Sequence, residues 1–311
     1  MAKEIKSTLH KRNRHRAQYD FEKLTAVNPK LDTYVHKNKY GTLSIDFFNA
    51  HAVKALNTAL LLYHYDLQYW DIPKKYLCPA VPGRADYIHY VADLFPEKKR
   101  RSALRCLDIG VGANCVYPIV GTTEYGWEFI GTDIDKDALR SAQKIIDNNP
   151  TLKNKVTLRH QENSEFILRT VIDTKERFDL LLTNPPFHAS KKEADKAALR
   201  KLNNLKGKGF KETKLNFEGQ SNELWTEGGE QKFITKLIHD TYMFRKALHW
   251  CTCLVSKEKT LAVCERKFKK IGAVEKRILE IGTANKKTRI LAWRWKKEFL
   301  EKKNERPARN P

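Results

Sequence analysis

The sequence predicts an α/β protein: a mostly parallel sheet of about seven strands with helices on both faces, preceded by a basic N-terminal extension. Three observations carry this. Apolar runs of strand length recur from Arg105 onward, helix-like stretches separate them, and the first two runs end in Gly or Asp at their carboxyl tips. Strands alternating with helices imply βαβ units and a sheet covered on both faces.

Taken in order, residues 1–41 are polar, with ten Lys/Arg against four Asp/Glu, and read as a basic arm with little core of its own. Residues 46–63 carry apolar side chains at helical spacing, with Asp46 and Asn49 placed to cap them. The stretch YWDIPKKYLCPAVPGR, with Pro73, Pro79 and Pro82, reads as loop, and residues 85–95 return to a helical pattern. Then come the runs RCLDIG, WEFIGTDID, VTLRHQ and FDLLLT, with KDALRSAQKIIDNN as a helix between the second and third. A helix over 230–250 precedes the strand TCLVSKEK, and AVEKRILEIG and RILAWRWKK complete the sheet. Residues 188–229 interrupt the rhythm as a basic insertion, with nine Lys/Arg against three Asp/Glu over 191–214. A polar insertion of that length is functional or mobile. The expected organisation is an arm and helical extension over 1–83, the main domain over 84–297, and a basic, disordered tail over 298–311.

Composition bounds the function. The chain has 311 residues, 41% hydrophobic and 31% charged, enough for a real core, which excludes a wholly disordered protein. Its net charge of +22 points to a polyanionic partner. The most apolar stretch, Ala55–Tyr63, is broken by Asn57 and flanked by His64 and Asp66, well short of the ~20 apolar residues that a spanning helix needs. The basic start MAKEIKSTLHKRNRHR has no apolar stretch behind it, so no signal peptide is read and a cytoplasmic location is expected. Cysteines 78, 106, 115, 251, 253 and 264 form no C-x-x-C pair and are expected to be reduced, mostly buried thiols, with no metal site.

Three motifs carry chemistry. Asp108-Ile109-Gly110-Val111-Gly112-Ala113-Asn114 ends a strand in a glycine turn, where a ligand can approach the backbone. A nicotinamide dinucleotide fingerprint competes, but Cys115 stands at its third glycine position. Asp133, ending WEFIGTD about twenty residues later, is placed to accept ribose hydroxyls, with Asp135 free to cap the next helix. The most specific motif is Asn184-Pro185-Pro186-Phe187. Two prolines stiffen the turn. The amide oxygen of Asn184 and the carbonyl of Pro185 become paired acceptors beside the flat face of Phe187, which suits a planar –NH2 group.

Together these sets resemble a class I (Rossmann-like) methyltransferase that uses S-adenosylmethionine on an amino nitrogen. The segments KRNRHRAQYDF, SIDFFNAHAVKALNTALL, VPGRADYIHYVADL, CLDIGVGANCVYPIVG, TNPPFHAS and ELWTEGGEQKF, in this order, resemble the bacterial 23S ribosomal RNA adenine-N6 methyltransferase family RlmF, over about residues 8–297. Its relatives include the eukaryotic enzyme that methylates an adenine of U6 small nuclear RNA. The resemblance implies Asn184, Pro185, Pro186 and Phe187 at the acceptor amine. It implies Asp108, Gly110, Gly112 and Asn114 along the cofactor, Asp133 on its ribose, Arg84 on its carboxylate, and Asn163 or Ser164 near its adenine. It also implies one target, the adenine at position 1618. No metal is needed.

Three basic zones could hold RNA: the arm, with Lys11, Arg12, Arg14 and Arg16; the insertion, with Lys191, Lys192, Lys206 and Lys208; and the tail from Arg266, with sixteen Lys/Arg against five Asp/Glu. Trp293 and Trp295 read as core. The partner expected is 23S ribosomal RNA or a large-subunit precursor, met by a monomer and away from membranes. The residues alone leave open the same chemistry on other RNA, DNA or a protein glutamine, a non-catalytic ribosomal RNA-binding assembly factor, and a nicotinamide oxidoreductase.

Overall fold

The structure is a computed structural model, describing residues 8–186, 188–190, 192–193, 196, 225–272, 274–283 and 286–296. Phe187, Lys191, Lys206, Lys208, most of the insertion and residues 297–311 lie outside the described residues.

Helix α1 (Phe21–Val27) starts at Asp20, whose carboxylate accepts from the Lys23 N–H. A six-residue 3-10 segment (Pro29–Tyr34) leads into a hairpin, β1 (Val35–Lys37) with β2 (Leu43–Ile45). Helix α2 (Ala50–Tyr65) is capped by Asn49, which accepts from the His51 and Ala52 N–H groups, and stops where Asp66 turns left-handed. Contrary to the expectation for 1–41, this region has a core: Phe21, Leu24, Leu31 and Ile45 pack against Ala52, Leu56, Ala59 and Leu60 of α2. Short segments spaced by charges hide such a core, because none shows a full helical period.

Helix α3 (Val81–Ala92) begins earlier than the prolines suggest. Pro82 sits in its first turn, where the missing N–H costs nothing. A four-residue turn, α4 (Glu97–Arg100), precedes β3 (Arg105–Ile109). The chain then alternates: α5 (Val116–Tyr125), β4 (Glu128–Asp133), α6 (Lys136–Asp147), β5 (Val156–His160), β6 (Phe178–Thr183), α7 (Gly229–Met243), β7 (Leu248–Val255), α8 (Glu258–Ile271), β8 (Val274–Thr283) and β9 (Lys286–Trp295). Asp135 caps α6, as expected.

The seven-stranded sheet has the order β5-β4-β3-β6-β7-β9-β8. The first five strands are parallel; β9 runs antiparallel between β7 and β8. One face packs on α2, α3, α5 and α6, the other on α7 and α8. The helix expected over 230–250 ends at Met243, and β7 starts at Leu248. An interior strand buried on both faces has no polar alternation, so its apolar run reads equally as helix. Trp293 and Trp295 are core, and all six cysteines are free. Among the described residues no helix is long and apolar enough to cross a membrane.

Candidate active site

The chain leaves β3 toward β4 and β5, then returns to β6 on the other side of β3. Such a reversal opens a crevice at the carboxyl ends of the two central strands. The Thr183 hydroxyl donates to the Ile109 carbonyl at 2.7 Å, tying the two strand tips together. From α3, the buried Tyr87 hydroxyl lies 2.9 Å from the Thr252 hydroxyl and 3.4 Å from the backbone of Thr183. The corner that follows therefore stands on a fixed base of four elements. Tyr87 was not foreseen; a tyrosine at a helical core position carries no separate signal.

The glycine turn after β3 follows a positive-φ path, at 77° for Gly110, 64° for Gly112 and 54° for Cys115. A Cβ on Gly110 would meet nothing within 4 Å, so conformation requires glycine there and the space beyond stays open. Gly110 and Val111 both donate to the Thr132 carbonyl, at 2.8 and 2.9 Å. The Asp133 carboxylate accepts from the N–H of Gly112 at 2.9 Å and from that of Asp135 at 3.0 Å. Burial raises the pKa of Asp133, and these two donors oppose the shift.

Beneath the turn, Asp108 is fully buried and neither carboxylate oxygen has a hydrogen-bond partner. Burial pushes its pKa well up, the Asp133 charge adds to this, and Arg84 opposes it. The Arg84 guanidinium, from the first turn of α3, lies 5.9 Å from the Tyr117 ring centroid. A guanidinium and an unsatisfied buried acid thus lie within electrostatic reach of one another at the glycine turn. Two orphaned buried oxygens cost about 1–3 kcal/mol each, which a ligand ammonium would recover. A zwitterionic amino-acid group fits this pair, so the residues present suit the cofactor inferred from the sequence.

Asn114 caps α5 with its side chain, accepting from Val116 N–H at 3.1 Å, while its carbonyl accepts from the Trp70 indole at 3.0 Å. Asn163 and Ser164 are exposed on the loop after β5, and Asn163 organises that loop by accepting from the Glu165 N–H at 2.8 Å. The neighbouring Gln161 is buried; its N–H donates to the Asp133 carbonyl at 2.8 Å and its side-chain oxygen accepts from Thr170 at 2.9 Å. Gln161 and Trp70 position the site and were missed, since neither belongs to a recognisable motif.

At the tip of β6, the Asn184 amide oxygen is buried without a partner. Pro185 is buried and Pro186 half-buried. Just beyond, His188 bridges to Trp225, and the Thr226 N–H donates to the His188 carbonyl at 3.0 Å, pinning the two ends of the insertion together.

The basic arm is tied into the fold. Arg12, one of the residues expected to face RNA, donates to the Tyr125 hydroxyl, the His89 carbonyl and the Asp93 carboxylate, each at 2.8 Å. Arg14 likewise pairs with Glu124 at 2.6 Å and donates to the His64 carbonyl at 2.8 Å. Both side chains staple the arm to α2, α3 and α5. Lys11, Arg14, Arg16 and Lys192 are exposed.

A family model described as RNA methyltransferase matches residues 3–297. The ribosomal RNA large subunit methyltransferase F of Bacteroides fragilis is 52% identical, covering 93% of this chain and 99% of that protein. Its Flavobacterium psychrophilum counterpart is 44% identical, with 96% of each chain covered. Among solved structures, the human METTL16 catalytic domain in complex with MAT2A 3'UTR hairpin 1 superposes with a TM-score of 0.78 at 29% identity, covering 93% of this chain and 96% of that one. The N-terminal domain of human METTL16 in complex with SAH gives 0.73 at 27% identity, covering 93% and 99%.

Proposed function

Because the chain belongs to the RNA methyltransferase family, and uses S-adenosylmethionine, we propose that it methylates N6 of one adenine, at position 1618, in the 23S RNA of the large ribosomal subunit. A monomer acting in the cytoplasm on 23S RNA or a large-subunit precursor is part of the same reading.

The observation that carries it is the unpartnered Asn184 oxygen at a proline-braced corner, across the β3–β6 crevice from the glycine turn. When bound, S-adenosylmethionine supplies an electrophilic methyl group on a sulfonium. In this reading Arg84 pairs with its carboxylate and Asp108 with its ammonium. Gly110, Gly112 and Asn114 line it, Asp133 takes the ribose hydroxyls, and Asn163 or Ser164 borders the adenine.

The exocyclic nitrogen of adenine is a weak nucleophile because its lone pair is delocalised into the ring. The Asn184 amide oxygen and the Pro185 carbonyl accept its two N–H bonds and localise the lone pair toward the methyl group, while Phe187 stacks on the flipped base. Acceleration then comes from positioning and preorganised dipoles, and the proton leaves after the new bond forms. The exposed Lys11, Arg14, Arg16 and Lys192, together with Arg12, Lys191, Lys206 and Lys208, supply phosphate contacts.

The test is mass-spectrometric mapping of methylated adenines in ribosomal RNA from cells lacking the protein, joined to a labelled-methyl assay on deproteinised RNA, DNA and release factor. Loss of one N6-methyladenine from 23S RNA is expected. An unchanged map, or transfer to protein alone, overturns the proposal.

A further inference from the structure

We propose that the β1–β2 hairpin and the turn into α2 form a stacking platform for unpaired RNA bases, with Tyr40 and Phe47 as its aromatic faces. This inference rests on the RNA-methylating reading above and names a surface through which the substrate is held.

The hairpin tip is built to hold its shape. The Asn38 side chain accepts from the N–H groups of Tyr40 and Thr42 at 2.9 and 3.2 Å, and the Asn38 N–H donates to the Thr42 carbonyl at 2.9 Å. Gly41, at φ 76°, donates to the Asn38 carbonyl at 2.9 Å and closes the turn. Asp46 then accepts from the Phe48 N–H at 2.8 Å, fixing the approach to α2. Ile45 anchors the hairpin in the N-terminal core.

On this rigid frame large apolar surface faces water. Tyr40 is 77% exposed and Phe47 55% exposed. A small hairpin gains nothing in stability from displaying them. Just ahead of Tyr40, Lys37 and Lys39 are exposed and have no acidic partner among the described residues. The Lys39 ammonium lies 5.0 Å from the Tyr40 ring centroid. Exposed rings, with two exposed lysines next to one of them, in a chain of net charge +22, match the surface that binds single-stranded nucleic acid: rings stack bases and lysines take the backbone. Leu43 and Phe48, each 40% exposed, add to this apolar surface, and the exposed Lys37 and Lys39 favour a nucleic acid over a protein as its partner.

The hairpin is also on the useful side. It leads directly into the first turns of α2, where Lys54 donates to the Ile72 carbonyl at 2.6 Å. From the same loop, Trp70 donates to Asn114, beside the glycine turn. In this proposal, bases flanking the target are held on the hairpin while the target enters the crevice.

The experiment compares the full chain with the double variant Tyr40→Ala/Phe47→Ala, with Tyr40→Phe and with Lys39→Gln. Binding is read by anisotropy on a labelled 23S RNA fragment and by quenching of 2-aminopurine placed beside the target. Calorimetry with S-adenosylmethionine and thermal melting serve as controls for folding. The double variant should weaken RNA binding about tenfold or more, raise KM and spare kcat at saturating RNA, with cofactor affinity unchanged. Tyr40→Phe should behave as the parent, and Lys39→Gln should reduce the salt dependence of binding. RNA affinity and quenching unchanged in the double variant overturn the proposal. So does an effect confined to intact ribosomal particles, which would assign the surface to a protein. If the parent chain methylates no RNA, the functional reading fails by itself, while the affinity comparison still decides the platform.

Discussion

Asp133 reaches back across the carboxyl ends of two strands to hold the backbone N–H of Gly112 at 2.9 Å. The residue assigned to the cofactor's ribose is thus also a brace for the turn along which the cofactor would lie. Asp133→Ala removes both functions. S-adenosylmethionine affinity should fall at least about tenfold, and the melting temperature should drop even without cofactor, because a hydrogen bond to a charged group contributes about 1.5–3 kcal/mol. Calorimetry and melting curves read the two losses separately. A variant with lost affinity and an unchanged melting temperature would show that the brace is energetically idle.

Asn184 makes the opposite prediction for stability. Its buried amide oxygen has no partner in the free protein, so Asn184→Ala removes an unpaid desolvation cost. The melting temperature should hold or rise and cofactor affinity should hold, while turnover falls by a factor of at least about 10² if preorganised acceptors carry the reaction. Near-normal turnover would refute the role assigned to the corner.

Two buried histidines under the arm make stability acid-sensitive. His15 and His89 are lowered from the ordinary 6.5 to about 3, foremost by burial, then by neighbouring histidines and by Arg14 or Arg12. His15 pairs with the Tyr65 hydroxyl and His89 with that of Tyr125, and each leaves its second ring nitrogen buried and unpartnered. Between pH 6.5 and about 3 the unfolded chain binds more protons than the folded one, so stability falls as pH falls through that window. The slope approaches about 1.4 kcal/mol per pH unit for each histidine, and above the window these groups add no pH dependence. Urea titrations across the window should show this slope, and His15→Gln/His89→Gln should flatten it.

The parts of the site legible in the sequence were those where chemistry demands a particular residue. Positive φ at Gly110 and Gly112, an acid ending β4, and two prolines after β6 leave few alternatives, so their spacing spoke directly. The supports were illegible for the opposite reason. Tyr87, Gln161 and Trp70 act through contacts made across 165, 28 and 44 residues of chain, and nothing local marks them. The hairpin at 35–45 was hidden because three-residue strands are too short to display a period of two.

Charge in the arm was the least legible of all, since a basic run reads the same whether it is solvated or stapled. That difference is measurable. Arg12 donates three hydrogen bonds within the fold, one of them to Asp93, which also pairs with His10 and Arg100. Arg12→Ala should therefore lower the melting temperature by several degrees, through loss of charge-assisted bonds worth about 1.5–3 kcal/mol, and reduce the salt dependence of RNA binding less than loss of an exposed cation does. Lys11→Gln and Arg16→Gln, both at exposed positions, should do the reverse. Each would keep the melting temperature and reduce the slope of log K against log salt by about 0.7–0.9 if its charge meets a phosphate. An Arg12→Ala protein with full stability and a salt slope diminished as far as in those variants would give Arg12 to the RNA alone.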